Sequence, residues 1–202
     1  ALSDRVAAVD TVFDIAGVNR ADSPEAVEAG NVELADRLAR AIVRAGRPVH
    51  VVYANSIHRD VDNPYGRGKA AAAQILREAT ATVGGSLGDV VLPNLFGEHG
   101  RPAYNSFVAT FCSEVAAGRT PTITEDREVP LLHAQRAAAA LVDASDLRHD
   151  GEYRPDAAPR TVSSVLSSLQ EMAGLYRTGE VPDVSEPFSL DLFNSYRSYL
   201  FP

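Results

Sequence analysis

At 202 residues, 45% of them apolar, the chain is long enough for one ordinary globular domain with a substantial core, or a domain with a small extra lobe. A formal charge of −8 argues against a surface built for nucleic acid or for an anionic membrane, because both need clustered Lys and Arg, and no apolar run is long enough to span a bilayer. The stretch from Ala1 to Arg5 has no basic start leading into an apolar core, and the single cysteine, Cys112, cannot form an internal disulfide. No secretory signal is expected, and the cytoplasm is the expected compartment.

The first element is Asp10 to Gly17, a β-branched and aromatic run closed by glycine, which predicts a buried strand and a tight turn. Ser23 and Pro24 read as the N-cap and first position of a helix. Its apolar residues Val27, Leu34, Leu38, Ala41 and Ile42 share a face, and Gly46 stands where a helix ends. Pro48 to Ala54 predicts a second strand. A helix starting near Tyr65 passes through Ala71, Ile75 and Leu76 and stops at Gly84 and Gly85. Asp89 to Leu92 is a third strand, and a helix follows from about Ser106 to Ala117 with Gly118 behind it.

Strand alternating with helix predicts an α/β fold, a doubly wound parallel sheet of Rossmann-like type. After Thr120 the pattern loosens into a short extended piece at Pro121 to Thr124, an Ala-rich helix near Gln135 to Ala144, and a helix from about Val162 to Leu175. The aromatic tail from Phe188 to Pro202 is expected to dock there. The division expected is a catalytic domain over residues 1–120 and a small C-terminal substrate lobe over residues 121–202. No glycine-rich fingerprint follows a strand, so the cofactor's pyrophosphate lacks its usual cradle. A β-α-β unit takes about 30 residues or more, and an N-terminal segment of at least that size is expected to be missing from this chain.

Chemistry concentrates between Tyr53 and Lys69. Tyr65 and Lys69 are four apart at a helix start, so both side chains can share one face. A free tyrosine titrates at about 10 and is a poor acid at neutral pH; a nearby ammonium is expected to lower that value. Ser56 lies at the end of a strand, where α/β sheets place ligands, and can hydrogen-bond a substrate carbonyl while Tyr65 moves a proton. By itself Tyr-x-x-x-Lys also describes a solvated helix pair. Here the pair follows Asn63 and Pro64 and a strand ending in Asn55 and Ser56.

These residues resemble the extended short-chain dehydrogenase/reductases, the NAD-dependent epimerase/dehydratase family. The resemblance rests on Asp10 to Gly17, Asn31, the stretch from Asn63 to Lys69, and Pro93 to Gly97. It implies Ser56, Tyr65 and Lys69 as the catalytic triad, with Lys69 also on the nicotinamide ribose. Ala16, Gly17 and Pro93 would touch cofactor, with NADP expected and NAD possible, and Asn94 would touch the nucleotide-sugar diphosphate. A homodimer through the two helices beside the triad is the family habit.

A narrower similarity runs through Ala16 to Arg20, the short spacing from Ser56 to Tyr65, Tyr104 to Cys112, and Asp191 to Leu200. These stretches are similar to the reductase domain of bifunctional capsular-polysaccharide enzymes, which reduce a 4-keto UDP-sugar and carry a C-terminal cupin that epimerises. That cupin is expected to lie beyond the present chain. The chain departs from the family pattern at Asp14, Asn55, Gly68 and Val91, and at Leu131 to Arg136.

Around this centre several residues keep two readings. Asn105 is a substrate contact or a helix N-cap. Arg127 is a diphosphate partner or part of a solvated turn, and His58 and His99 are ligand contacts or solvated loop residues. The scattered histidines lack the spacing of a zinc site, so no metal is expected. The reading is NAD(P)H-dependent reduction of a 4-keto nucleotide sugar, with no nucleic-acid or membrane partner. An epimerase, or a non-catalytic nucleotide-sugar or cofactor scaffold, is the alternative. Asn63 and Pro64 stand where a dehydratase would carry its extra acid, which disfavours that activity.

Overall fold

The computed structural model describes residues 1–201. In chain order the elements are α1 (Leu2–Ala7), β1 (Thr11–Asp14), α2 (Pro24–Ala45), β2 (His50–Ser56), a 3-10 turn (Ile57–Asp60), α3 (Pro64–Thr82), β3 (Ser86–Leu92) and β4 (Asn94–Phe96). They continue with α4 (Phe107–Ala116), β5 (Glu128–His133), α5 (Ala134–Leu147), β6 (Gly151–Tyr153), β7 (Ala158–Thr161), α6 (Val162–Arg177) and α7 (Pro187–Arg197).

The chain forms two compact units. The first comprises Ala1–Leu92 and Ala138–Pro155, and the second Pro93–Ala137 and Asp156–Pro202. This does not coincide with the division drawn at residue 120. The reason is packing: α4 buries Val108, Phe111, Cys112 and Val115 in one cluster with α6 and α7, so it belongs with the second unit. Cys112 is a wholly buried core residue, and burial pushes its thiol up to about 12.

In the first unit the sheet order is β1-β2-β3-β6, with every pairing parallel. Alternating side chains divide its two faces. Val51, Tyr53 and Leu87 point into a cluster with Ala35, Leu38 and Ile42 of α2 and Ala72, Ala73 and Leu76 of α3. On the other face, His50 makes a 3.1 Å hydrogen bond to the carbonyl of Ala144 in α5. Helices therefore cover both faces, as a parallel sheet requires. β1 lies at one edge, and Phe13 within it and Ile15 just after it are 45% and 69% exposed.

Helix ends follow the residues that make them. Ser23 caps α2 by accepting from the Ala26 N–H, and Gly46 ends it at φ 63°, a left-handed angle that suits glycine. Asn63 caps α3, its side-chain oxygen accepting from the Gly66 N–H at 2.8 Å. Among the described residues, no helix is long and apolar enough to cross a membrane.

The second unit has a small mixed sheet, β4 parallel to β5 and β5 antiparallel to β7. Its core joins Phe96, Val129 and Leu131 to Leu166, Leu169 and Met172 of α6 and to Phe188, Leu192, Phe193 and Tyr196 of α7. From Phe188 to Leu200 the aromatic tail packs on this core as the sequence leads one to expect, whereas Phe201 is 64% exposed and Pro202 lies outside the described residues. The extended piece expected at Pro121 to Thr124 is loop; the strand comes later, at Glu128–His133.

Candidate active site

The strand ends of the first unit carry the candidate residues. Ser56 is the last residue of β2, and Tyr65 lies in the first turn of α3, half-buried. The Ser56 hydroxyl is near enough to favour the Tyr65 phenolate. The short 3-10 turn between them makes this meeting possible, and its fit on α3 is tight. A Cβ at Gly66 would stand 2.2 Å from the His58 carbonyl oxygen and 2.3 Å from that of Val61, so only glycine lets the two backbones touch.

Lys69 follows one turn along α3 and is buried, 3% exposed. Its ammonium donates to the Ala54 carbonyl at 2.7 Å and sits 4.2 Å above the centre of the Tyr53 ring. Burial drives the Lys69 pKa down to about 8, against the opposing pull of Asp14 and Asp89. Tyr65 moves the other way. Burial raises its pKa above the ordinary phenol value, and the nearby Ser56 hydroxyl only partly offsets this. The expectation that Lys69 depresses Tyr65 is therefore corrected: desolvation of the phenol dominates.

The loop after β1 reaches the same corner. Asn31 of α2 is buried and donates to the carbonyls of Val18 and Val27 at 2.8 Å each, while its side-chain oxygen accepts the Val18 N–H at 3.2 Å. That grip fixes Ala16 and Gly17, which expose their backbone to solvent. A Cβ at Gly17 would lie 3.9 Å from the Lys69 ammonium. Asp14 ends β1, and burial raises its pKa against the pull of Lys69. So Ala16, Gly17, Ser56, Tyr65 and Lys69 converge.

Pro93, Asn94, Asn105 and Arg127 belong to the second unit. Pro93 is buried. Asn94 opens β4 and donates to the Pro130 carbonyl at 3.3 Å. Asn105 is exposed on the turn before α4, and its reading as N-cap is corrected: Ser106 caps that helix by accepting from the Ala109 N–H. Arg127 is exposed and lies 3.6 Å from Glu125.

Two polar clusters escaped the sequence reading. In the first unit, buried Asp89 is held by Asn55 and Arg59. In the second, buried His133 bonds Glu98 at 3.0 Å, and Asp191 pairs with Arg136 at 2.6 Å. The available signal for the first was a lone acid before Val90, Val91 and Leu92, in an otherwise apolar strand.

A phenol near a serine at the carboxyl ends of parallel strands, with a buried ammonium one helical turn away, is the outfit of a nicotinamide-dependent dehydrogenase fold. The chain belongs to the NAD dependent epimerase/dehydratase family, which it matches over residues 1–152. It is 30% identical to the UDP-2-acetamido-2,6-beta-L-arabino-hexul-4-ose reductase of Pseudomonas aeruginosa, over 98% of this chain and 55% of that protein. Among solved structures it resembles the capsular polysaccharide assembling protein CapF from Staphylococcus aureus, with a TM-score of 0.84 and 27% identity, covering 98% of this chain and 55% of that one. UDP-N-acetylglucosamine 4-epimerase from Bacillus cereus shares the fold at a TM-score of 0.76 and 18% identity, covering 86% of this chain and 65% of that one. The chain spans about half the length of the reductase and of CapF.

Proposed function

We propose that the protein reduces the 4-keto group of a UDP-linked sugar with a nicotinamide cofactor, NADPH in preference to NADH. The observation that carries this reading is the placement of Ser56 at the end of β2 and Tyr65 in the first turn of α3 beside the buried Lys69. The donor set suits the nicotinamide end of such a cofactor. Lys69 spends one donor on Ala54 and keeps others for ribose hydroxyls, and Ala16 and Gly17 offer backbone next to it. Pro93 would add a further cofactor contact.

When bound, the reduced nicotinamide supplies the hydride that reaches the carbonyl carbon. Ser56 hydrogen-bonds the carbonyl oxygen and orients it. Tyr65 gives that oxygen its proton, and burial favours the protonated phenol that a donor needs at neutral pH. Lys69, charged below about 8, holds the ribose with its remaining donors. Asn94, Asn105 and Arg127 are assigned to the nucleotide-sugar, Arg127 to its diphosphate. Homodimerisation through α2 and α3, and a cytoplasmic location, complete the reading.

The reductase of Pseudomonas aeruginosa supports the substrate class by its name and its 30% identity. The test is NADPH consumption with 4-keto UDP-sugars, in the parent and in Tyr65→Phe. Stoichiometric consumption that the substitution abolishes, with nucleotide-sugar binding retained, is the expected result. Interconversion of sugars without net consumption would make the protein an epimerase. Binding without any turnover would make it a scaffold.

A further inference from the structure

Beneath α3 lies a charge that the proposed chemistry does not use. Asp89 stands in the middle of β3, opposite Tyr53 of β2 and Glu152 of β6, and is wholly shielded from solvent. A buried carboxylate survives only with partners that replace its hydration. Its two nearest are both drawn from the segment around Ser56. Asn55 donates its amide to Oδ1 at 2.8 Å, and Arg59 donates to Oδ2, with Arg77 of α3 further off at 3.6 Å.

Each partner passes the constraint on. Asn55 turns its own side-chain oxygen to accept the Ser56 N–H at 2.9 Å. Arg59 sits in the 3-10 turn after Ser56 and also reaches Glu152 at 3.1 Å and Asp60 at 3.5 Å. The opposite side of this turn bears on Gly66, immediately after Tyr65, with no room for a Cβ. The turn is thus clamped between a charged anchor in the sheet and the first turn of α3. A slip of either contact would move Ser56 relative to Tyr65.

We propose that Asp89, acting through Asn55 and Arg59, is a positioning residue that holds the Ser56 hydroxyl in register with Tyr65. Its kinetic consequence rests on the reductase reading above. Its structural consequence does not. Misplacement by about 1 Å can cost a rate on the order of 100-fold, so the clamp matters far more to turnover than to substrate binding.

The test uses Asp89→Asn and Arg59→Gln, singly and combined, in the full-length protein. Expected is a fall in kcat of roughly 10- to 100-fold with KM nearly unchanged. The double variant should be no worse than the poorer single one, because the two residues act as one unit. Arg59→Lys should recover part of the loss. A second readout needs no substrate: the titration of Tyr65 in protein carrying carbon-13-labelled tyrosine, its resonance identified with Tyr65→Phe. The other titratable groups near it are His58 in the turn, Tyr53 in β2 and Lys69 on its own helix. Loosening Ser56 withdraws a hydroxyl that favours the phenolate, so the Tyr65 midpoint should move up in both variants. A lowered Tm with kcat and midpoint both unchanged would reduce Asp89 to a structural role and overturn the proposal. A parent without reductase activity would sink the functional reading, while the midpoint would still decide this one. Arg59 is partly exposed, at 21%, so Arg59→Gln supplies both readouts if Asp89→Asn does not fold.

Discussion

The two units are built on opposite terms. The first buries Asn31, His50, Asn55, Lys69, Thr80 and Asp89 alongside its apolar core, whereas the second packs apolar and aromatic side chains with His133 and Ser195 as its buried polar residues. Burying a charge or an amide costs free energy that hydrogen bonds only partly return. A chain keeps such groups where their chemistry is needed. The contrast teaches that polar atoms sealed inside a unit locate the reacting groups, and that apolar packing marks the scaffold.

The sharpest way to break this comparison is to remove polar groups from the first unit. Ser56→Ala and Lys69→Met should each lower turnover by roughly 10²- to 10⁴-fold in steady-state kinetics, and Ser56→Ala should barely shift thermal unfolding in calorimetry. The pH dependence follows from Lys69, whose pKa lies near 8 against an ordinary 10.5. Turnover should fall as pH rises through about 8, because the ammonium is lost. Stability should respond with the opposite sign. Below about 8 the lysine is charged in both folded and unfolded chains and its burial is penalised; between 8 and 10.5 the folded chain has shed a proton that the unfolded chain retains, so this group's contribution to stability rises. Unfolding measured across that window, parent against Lys69→Met, isolates the effect.

In the second unit the expected damage is to folding. Leu169 is wholly buried in α6, and Leu169→Ala should cost about 2–5 kcal/mol in denaturant titrations. In the first unit, removing the cap of α3 with Asn63→Ala should cost about 1 kcal/mol, the loss of one N-terminal hydrogen bond. The smallest effect has the least familiar sign. Among the described residues Tyr196 buries its hydroxyl without a hydrogen-bond partner, so Tyr196→Phe should stabilise the protein by about 1 kcal/mol, visible as a raised Tm.

How much could be read beforehand differs between the units for physical reasons. From Thr11 to Leu92 the strands are runs of β-branched residues and the helices carry caps at Ser23 and Asn63, all local signals. Ser56, Tyr65 and Lys69 lie within a short span, so their convergence was visible from spacing. In the second unit β5 contains Pro130, a residue that argues against a strand, and β4 and β7 are only three and four residues long. Their existence depends on partners far along the chain. Asp89 was hidden for the same reason: Arg59, thirty residues earlier, makes its burial tolerable.

The path of the chain has a consequence for how the protein can be cut. The first unit is left at Leu92 and re-entered at Ala138, and β6 supplies its last strand only after that detour. Neither unit is a continuous stretch of sequence. A protease that nicks one loop releases no intact piece, and a gene shortened after Gly118 makes a sheet lacking β6 at its border. Bringing Gly151 beside Gly88 also requires closing a long loop, a slow entropic step in folding. Attempts to divide this protein should therefore join segments across the three crossings, after Leu92, Ala137 and Pro155.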